Sequence, residues 1–514
     1  MKSVFKVSAL VSGVIILVAL AFPGRLYAVT STVRDYVGDH FGWFYLLLAT
    51  VVVGVCLYCI MSPIGRIRLG DPDSRPEHSD ASWLAMLFSA GMGIGLVFYG
   101  AAEPLSHFAV SSPEAELYSP EALEDALKYS FFHYGIHAWA IYGVIALALA
   151  YFQFRKKENI LVSATLKPLF GNLTDGWLGI GVDSLTIIAT IVGVATTLGL
   201  GAAQINGGLN SLWGFPENDW SRLAIILLTS VFFIWSAVAG IDKGIKTLSN
   251  LNSYVAIGIL ALVLAVGPTV QILESTIESF GSYINNFIEL SFRTESHDPA
   301  ARAWIQKWTI MYWAWWISWS PFVGIFIARI SKGRTIREFV TYVLLVPTLF
   351  SCLWFAVFGT LSTSVVSTHR AIASLPSEKM LFGVLEKVPF GTAISVASIL
   401  LVFSFFITSA DSATVVLAME SEGGSLKPKK STKFIWGATL SLTAVALMFA
   451  GGLDALQDMM IVFALPFAVL LVLIIVSLVK ELRYEQHQMG LFVKARKYPE
   501  KDEPFRSYED GAEG

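Results

Sequence analysis

Twelve apolar runs, each about as long as a bilayer is thick, govern what this chain can fold into. They cover residues 7–28, 42–62, 81–101, 130–153, 176–201, 221–240, 250–271, 304–330, 336–361, 390–419, 433–452 and 457–480. A helix rises about 1.5 Å per residue, so roughly 20 apolar residues cross a hydrocarbon core. Only 15% of the 514 residues are charged, against roughly 25% in soluble domains. A soluble enzyme is excluded, and a formal net charge of -3 argues against a nucleic-acid partner. We therefore expect an all-α integral membrane protein of twelve transmembrane helices.

The charges between the runs set the orientation. With the N-terminus in the cytoplasm, the cytoplasmic segments and adjoining span ends hold 19 Lys and Arg, the external ones 10 and the tail 7. Positive charge collects on the cytoplasmic side, so both termini are expected there. The segment 272–300 is amphipathic and is expected to lie along the outer surface. Residues 481–514 form a charged tail, helical at most in its first half. Lys2 and Lys6 followed by an apolar run resemble a signal peptide, but Pro23–Gly24 reads better as the end of a retained span. Cys56 and Cys59 form a CxxC inside an apolar run with no second pair, and read as small buried residues.

Two runs are interrupted. The stretch Trp308–Arg334, which covers most of the run 304–330, contains Trp308, Trp313, Trp315, Trp316 and Trp319, five of the chain's 15 tryptophans, around Ser318, Ser320, Pro321 and Gly324. Lipid offers no hydrogen bonds, so a backbone break there must be buried in protein or line a watery cavity. We expect such a break at Ser320–Pro321. The third run carries Gly91, Gly93 and Gly95. Gly91 and Gly95 suit a packing face, but alternate residues point about 200° apart on a helix, which leaves Gly93 off it. Three alternating glycines imply unwound backbone with a close neighbour. Interruptions at corresponding places are a sign of inverted repeats, here spans 3–7 and 8–12. The expected organisation is 1–80 (two added spans and a loop), 81–271 (first repeat), 272–303 (surface segment), 304–480 (second repeat) and 481–514 (tail).

The aromatic residues point to a cationic substrate. Tyr312, Trp315, Trp316, Trp319, Phe322 and Phe326 recur along one helical face. Such a stripe is either packing or a surface for cations without N–H donors, quaternary ammonium above all. In span 4, Tyr134, Trp139 and Tyr142 lie within about 140° on a continuous helix and could complete a cage. His133 and His137 have metal-ligand spacing, but no third ligand is evident, and hydrogen-bonded histidines are the plainer reading. In span 10, Phe405, Thr408, Ser409 and Ser412 share a face. Their hydroxyls either bond back to carbonyls four residues earlier or serve as ion ligands. Asp411 is an intramembrane acid, functional or internally paired. Thr186 and Thr190 of span 5 share a face that continues to the apolar Val194.

The stretches GMGIGLVFYGAAEP and YWAWWISWSPFVGIFIARISKGR resemble the betaine/carnitine/choline transporter family, and its sodium-coupled glycine betaine members most. The resemblance runs from span 1 to span 12. It implies the inverted-repeat fold of LeuT-type symporters, a homotrimer in a bacterial-type cytoplasmic membrane, and a role in osmoprotection. It implies no cofactor, with sodium as coupling ion and lipid as surroundings. The substrate box would be Tyr134, Trp139, Tyr142 and Trp316, with Trp315, Trp319 and Phe326 along the inner path and Gly91, Gly93 and Gly95 beside it. One sodium would use Ser89, Met92, Phe405, Thr408 and Ser409. A second would use Thr190 and Phe322, but Val194 stands where the family has a second threonine. Tyr134 replaces the usual tryptophan. Gly95, where proton-coupled choline carriers have Asp, favours sodium coupling. A proton-coupled choline carrier and a sodium-independent carnitine/betaine exchanger are the alternatives.

Overall fold

The computed structural model describes residues 2–91, 93–240 and 242–491. Eighteen α-helices follow in chain order. The first two are α1 (Lys2–Ala21) and α2 (Pro23–Met61). The second run begins much earlier than expected, because Pro23 sits in the first turn of α2, where it suits a helix start. A short 3₁₀ turn, Pro63–Arg66, leads to α3 (Asp80–Gly91) and α4 (Ile94–Ala109). Next come α5 (Pro120–Tyr134) and α6 (Ile136–Ala150), then the four-residue α7 (Lys167–Phe170) and the long α8 (Trp177–Trp213). They are followed by α9 (Asp219–Ala239), α10 (Asp242–Val266), α11 (Thr269–Asn285) and α12 (Phe287–Phe292). The chain continues through α13 (Pro299–Ile305), a π-helical turn (Gln306–Ile310) and α14 (Met311–Arg329). It ends with α15 (Ile336–Thr368), α16 (Ser377–Leu385), α17 (Gly391–Ser421) and α18 (Lys430–Gln488).

Among the described residues, ten helices are long and apolar enough to cross a membrane. The difference from twelve has two sources. The run at 81–101 is split between α3 and α4, with Gly93 extended (φ -165°, ψ 176°). The last two runs fall within α18, which counts once although it is two helical segments joined at a kink, with non-helical backbone at Gly451 and Gly452.

Two interruptions differ from expectation. The tryptophan-rich helix is not broken at Ser320–Pro321; α14 runs through Pro321. Proline removes the N–H that would bond the carbonyl four residues back, which is that of Ile317. The Ser320 hydroxyl donates to this carbonyl at 2.7 Å instead, so the ladder is repaired locally. Gly324 serves close packing: a Cβ there would meet Ile145 Cγ2 at 2.6 Å. An unforeseen break falls in span 4, at Gly135 between α5 and α6. The Tyr283 hydroxyl of α11 fills it, accepting the N–H of Ile136 at 3.3 Å.

Among the long apolar helices, α5–α6, α8 and α14 are the most deeply buried, with α6 packed on α14, α15 on α4 and α18 on α8. The amphipathic segment forms α11 and α12. Ile272, Ser275, Ser279 and Tyr283 of α11 face inward, while Val270, Leu273 and Ile277 are exposed. Apart from a single bridge between Arg68 and Thr335, the described residues hold no strand. That bridge belongs to a clamp between two loops. Leu69 N–H donates to Arg334 O (2.8 Å), Gly333 N–H to Leu69 O (2.7 Å) and Ile336 N–H to Ile67 O (2.9 Å). The Arg334 guanidinium lies over the Trp83 ring, 4.5 Å from its centroid. Cys56 and Cys59 are buried free thiols, as expected. The tail is helical to Gln488; residues 492–514 lie outside those described.

A candidate substrate and ion site

The break after α5 and the continuous α14 together bring the aromatic side chains to one place. Tyr134 closes α5 and meets Trp316 edge-on, with ring centroids 5.1 Å apart. Tyr142 of α6 approaches the same indole at 6.0 Å, and Trp139 stands edge-on to Tyr142 at 5.4 Å. On α14, Tyr312, Trp315 and Trp316 form a stack with interplanar angles of 10° to 17°. All six rings are buried. In this arrangement the rings touch one another, so the box is closed.

Polar contacts fix each ring. Trp316 Nε1 donates to the His133 carbonyl at 2.9 Å, and Trp315 Nε1 to the Thr197 hydroxyl of α8 at 3.1 Å. The Tyr134 hydroxyl donates to the Gly95 carbonyl at 3.3 Å. Gly95 is also where Trp315 presses closest: a Cβ would lie 2.9 Å from its Cη2. The glycine motif thus borders the box through Gly95, with extended Gly93 two residues away. Trp319 lies lower on α14, packed on Phe322 at 5.4 Å and against Gly193 of α8. Phe326 is partly exposed one turn further on.

The residues expected around sodium are only partly described. Met92 lies outside the described residues, as do the side chains of Ser89 and Gly91. Where α4 begins, a Cβ on Gly201 of α8 would meet Ile94 at 2.9 Å and Phe406 of α17 at 3.2 Å. The span 3 break, α8 and the Phe405–Phe406 turn therefore converge. The Thr408 hydroxyl donates to the Ser404 and Phe405 carbonyls at 3.1 and 3.3 Å, the local bonding open to any membrane threonine. Ser409 is half-buried one residue on. At the second expected site, Phe322 and Val194 are buried, and the Thr190 hydroxyl is buried with no hydrogen-bond partner.

Sequence reasoning missed a cluster behind the box. Glu103 of α4 is fully buried. Its carboxylate accepts from His133 Nδ1 at 2.6 Å, from His107 Nε2 at 3.3 Å and from the Tyr312 hydroxyl. His133 Nε2 meets the Thr309 hydroxyl at 2.9 Å. The donor atoms of Glu103, His107 and His133 lie within 4.8 Å of one another, close enough to hold a metal. Mutual hydrogen bonds already engage all three. His137 is separate, meeting the Ser291 hydroxyl at 3.0 Å. An acidic residue two positions past the third apolar run, ahead of the apolar Leu105 and Phe108, was the available signal.

Residues 3–487 match the betaine/carnitine/choline transporter (BCCT) family. A glycine betaine transporter, OpuD, of Bacillus subtilis (strain 168) is 49% identical over 489 residues, covering 95% of this chain and 96% of that protein. This chain belongs to the BCCT family. Other BCCT relatives include an ectoine/hydroxyectoine transporter of Virgibacillus pantothenticus, 42% identical over 93% of this chain and 96% of its own length. A glycine betaine/proline/choline transporter of Vibrio parahaemolyticus serotype O3:K6 is 38% identical, over 96% of this chain and 92% of its own. As a BCCT protein the chain is a multi-pass secondary transporter and not an enzyme.

Proposed function

We propose that this protein takes up glycine betaine, or a similar quaternary ammonium or sulfonium zwitterion, by sodium-coupled alternating access. The observation that carries this reading is the closed aromatic box of Tyr134, Tyr142 and Trp316 bordered by Gly95. A trimethylammonium group has no N–H to donate, so aromatic faces are its natural partners. The substrate carboxylate would approach the unwound backbone at Gly93, where the N-terminus of α4 favours an anion. Two of the relatives are named as transporters of glycine betaine, one of them also of proline and choline, and a third as a transporter of ectoine and hydroxyectoine.

Sodium would sit between the span 3 break and α17, using carbonyls of Ser89, Met92 and Phe405 and the hydroxyls of Thr408 and Ser409. The Thr408 hydroxyl donates its hydrogen to the Ser404 and Phe405 carbonyls, which leaves its oxygen lone pairs for the ion. Thr190 offers an unpartnered oxygen for a second sodium, but Val194 offers none from its side chain. Twelve crossings follow if the α18 kink separates two spans and α3–α4 form one. Spans 3–7 and 8–12 would then be inverted repeats, with both termini cytoplasmic. Because α14 is unbroken, the repeat rests on family membership rather than on matched interruptions. We also propose a homotrimer in the cytoplasmic membrane, acting in osmoprotection.

Purified protein in liposomes tests the central claim. Labelled glycine betaine should accumulate only with an inward sodium gradient. Equal uptake without sodium would favour an exchanger, and a pH gradient substituting for sodium would favour a proton-coupled carrier. Competition by ectoine, proline betaine, dimethylsulfoniopropionate and choline ranks the substrates. Mass determination in detergent should give three copies per particle.

A further inference from the structure

The Glu103 cluster belongs to no expected binding role, yet it touches the box at three points. Tyr312, the end ring of the α14 stack, donates to Glu103. His133, held by Glu103 at 2.6 Å, supplies the carbonyl that receives Trp316 Nε1 at 2.9 Å. Tyr134 lies edge-on to Tyr312, centroids 5.1 Å apart. Hydrogen bonding is consistent with an ionised carboxylate and two neutral imidazoles. His133 then donates from Nδ1 and accepts the Thr309 hydroxyl at Nε2, while His107 donates from Nε2. Charged hydrogen bonds are the strong ones, so a carboxylate in this position holds rings more firmly than a neutral group would. It also places a negative charge one ring behind the cation's seat. A phenol donating to a carboxylate carries a more electron-rich face, which strengthens its attraction for a cation.

We propose that Glu103 is a positioning residue for the aromatic box, acting through Tyr312 and His133, and that its charge makes the box select a permanent cation over an uncharged headgroup of the same shape. This inference rests on the box being the substrate site. It goes further by separating two properties of the box: ring placement, which serves any headgroup of the right size, and field, which serves only a charged one. Glu103→Gln keeps the side chain's size and can still accept from Tyr312, but removes the charge. Glu103→Ala removes both.

The test uses the full chain in detergent and compares two ligands, glycine betaine and its carbon isostere 3,3-dimethylbutyrate, by quenching of tryptophan fluorescence. Glu103→Gln should weaken betaine about tenfold while changing the isostere less than twofold. Glu103→Ala should weaken both and shift the emission maximum of the unliganded protein. Equal weakening of both ligands by Glu103→Gln would reduce Glu103 to a structural role and overturn the charge claim. Unchanged affinities in both variants would overturn the whole inference. Trp316→Leu in parallel tests the underlying reading. If it leaves betaine binding intact, the box is not the site. If it abolishes binding while the Glu103 variants behave as wild type, only the present inference fails.

Discussion

Trp316 shows how much one side chain is asked to do. Its indole stacks on Trp315, receives the edges of Tyr134 and Tyr142, and is anchored through Nε1 to His133. Replacing it with leucine keeps an apolar filler but loses the cation–π face, worth about 0.5–2 kcal/mol. We expect a rise of about tenfold or more in the KM for betaine uptake, with surface expression unchanged. Gly95→Ala tests the same wall from behind. The new methyl would sit 2.9 Å from Trp315, so the indole must shift; we expect a higher KM without loss of folded protein. A third change concerns the ion. Val194→Thr would supply the missing hydroxyl beside Thr190, and should steepen the dependence of uptake on sodium concentration. A curve identical to wild type would show that these positions do not hold an ion.

Much of the box was legible at this scale, because aromatic residues at helical spacing in a membrane span have few other uses. The partners of Tyr134 were not. Its angular relation to Trp139 and Tyr142 was argued on a continuous helix, and Gly135 breaks that helix. Glu103 escaped because it lies just past the run 81–101 and so passes for a residue of the following loop.

At the scale of elements, helix continuity is decided by who satisfies a freed backbone group. Pro321 looked like a break because proline costs a helix its ladder bond. Ser320 repairs that bond by donating to Ile317 O, a local detail of rotamer rather than of composition. Ser320→Ala should leave the carbonyl buried and unpaired, costing about 1–3 kcal/mol. Thermal unfolding in detergent would read this as a lower midpoint. The α18 kink makes a contrasting case. Gly452 has φ of +67° with open space around it, so alanine there meets no neighbour and suffers only from its backbone angle. A loss of about 1–2 kcal/mol is expected. The kink falls where the sequence separated the runs 433–452 and 457–480, although too few residues are non-helical to form a loop.

For the whole molecule, the ends of distant helices are tied by charge. Glu485, near the end of α18, accepts from Tyr151 at 2.5 Å and from Arg155 Nε at 2.6 Å, while Arg155 Nη1 donates to Gly70 O at 2.7 Å. Glu485→Ala would strand a largely buried guanidinium, and breaking such a pair costs about 3–5 kcal/mol. The expected outcome is a clear drop in thermal stability with the substrate KM little changed, since the box rings are held through other bonds, those of Trp316 to His133 and Tyr134 to Gly95. The all-helical membrane class of the fold was readable from hydropathy. These tertiary ties were not, because they join residues 85 to 334 positions apart with no local pattern.

The clamp between residues 67–70 and 333–336 has a mechanical meaning. Main-chain bonds there join the chain leaving α2 to the chain entering α15, and Arg337 adds bonds to the Ile60 and Ser62 carbonyls at the end of α2. Whatever rocks during a transport cycle must turn about this point or carry both sides with it, as a door carries its hinge-pin. Spin labels at Arg68 and Thr335 should therefore keep a single separation whether sodium and betaine are present or absent, while labels at the opposite ends of the same helices move apart.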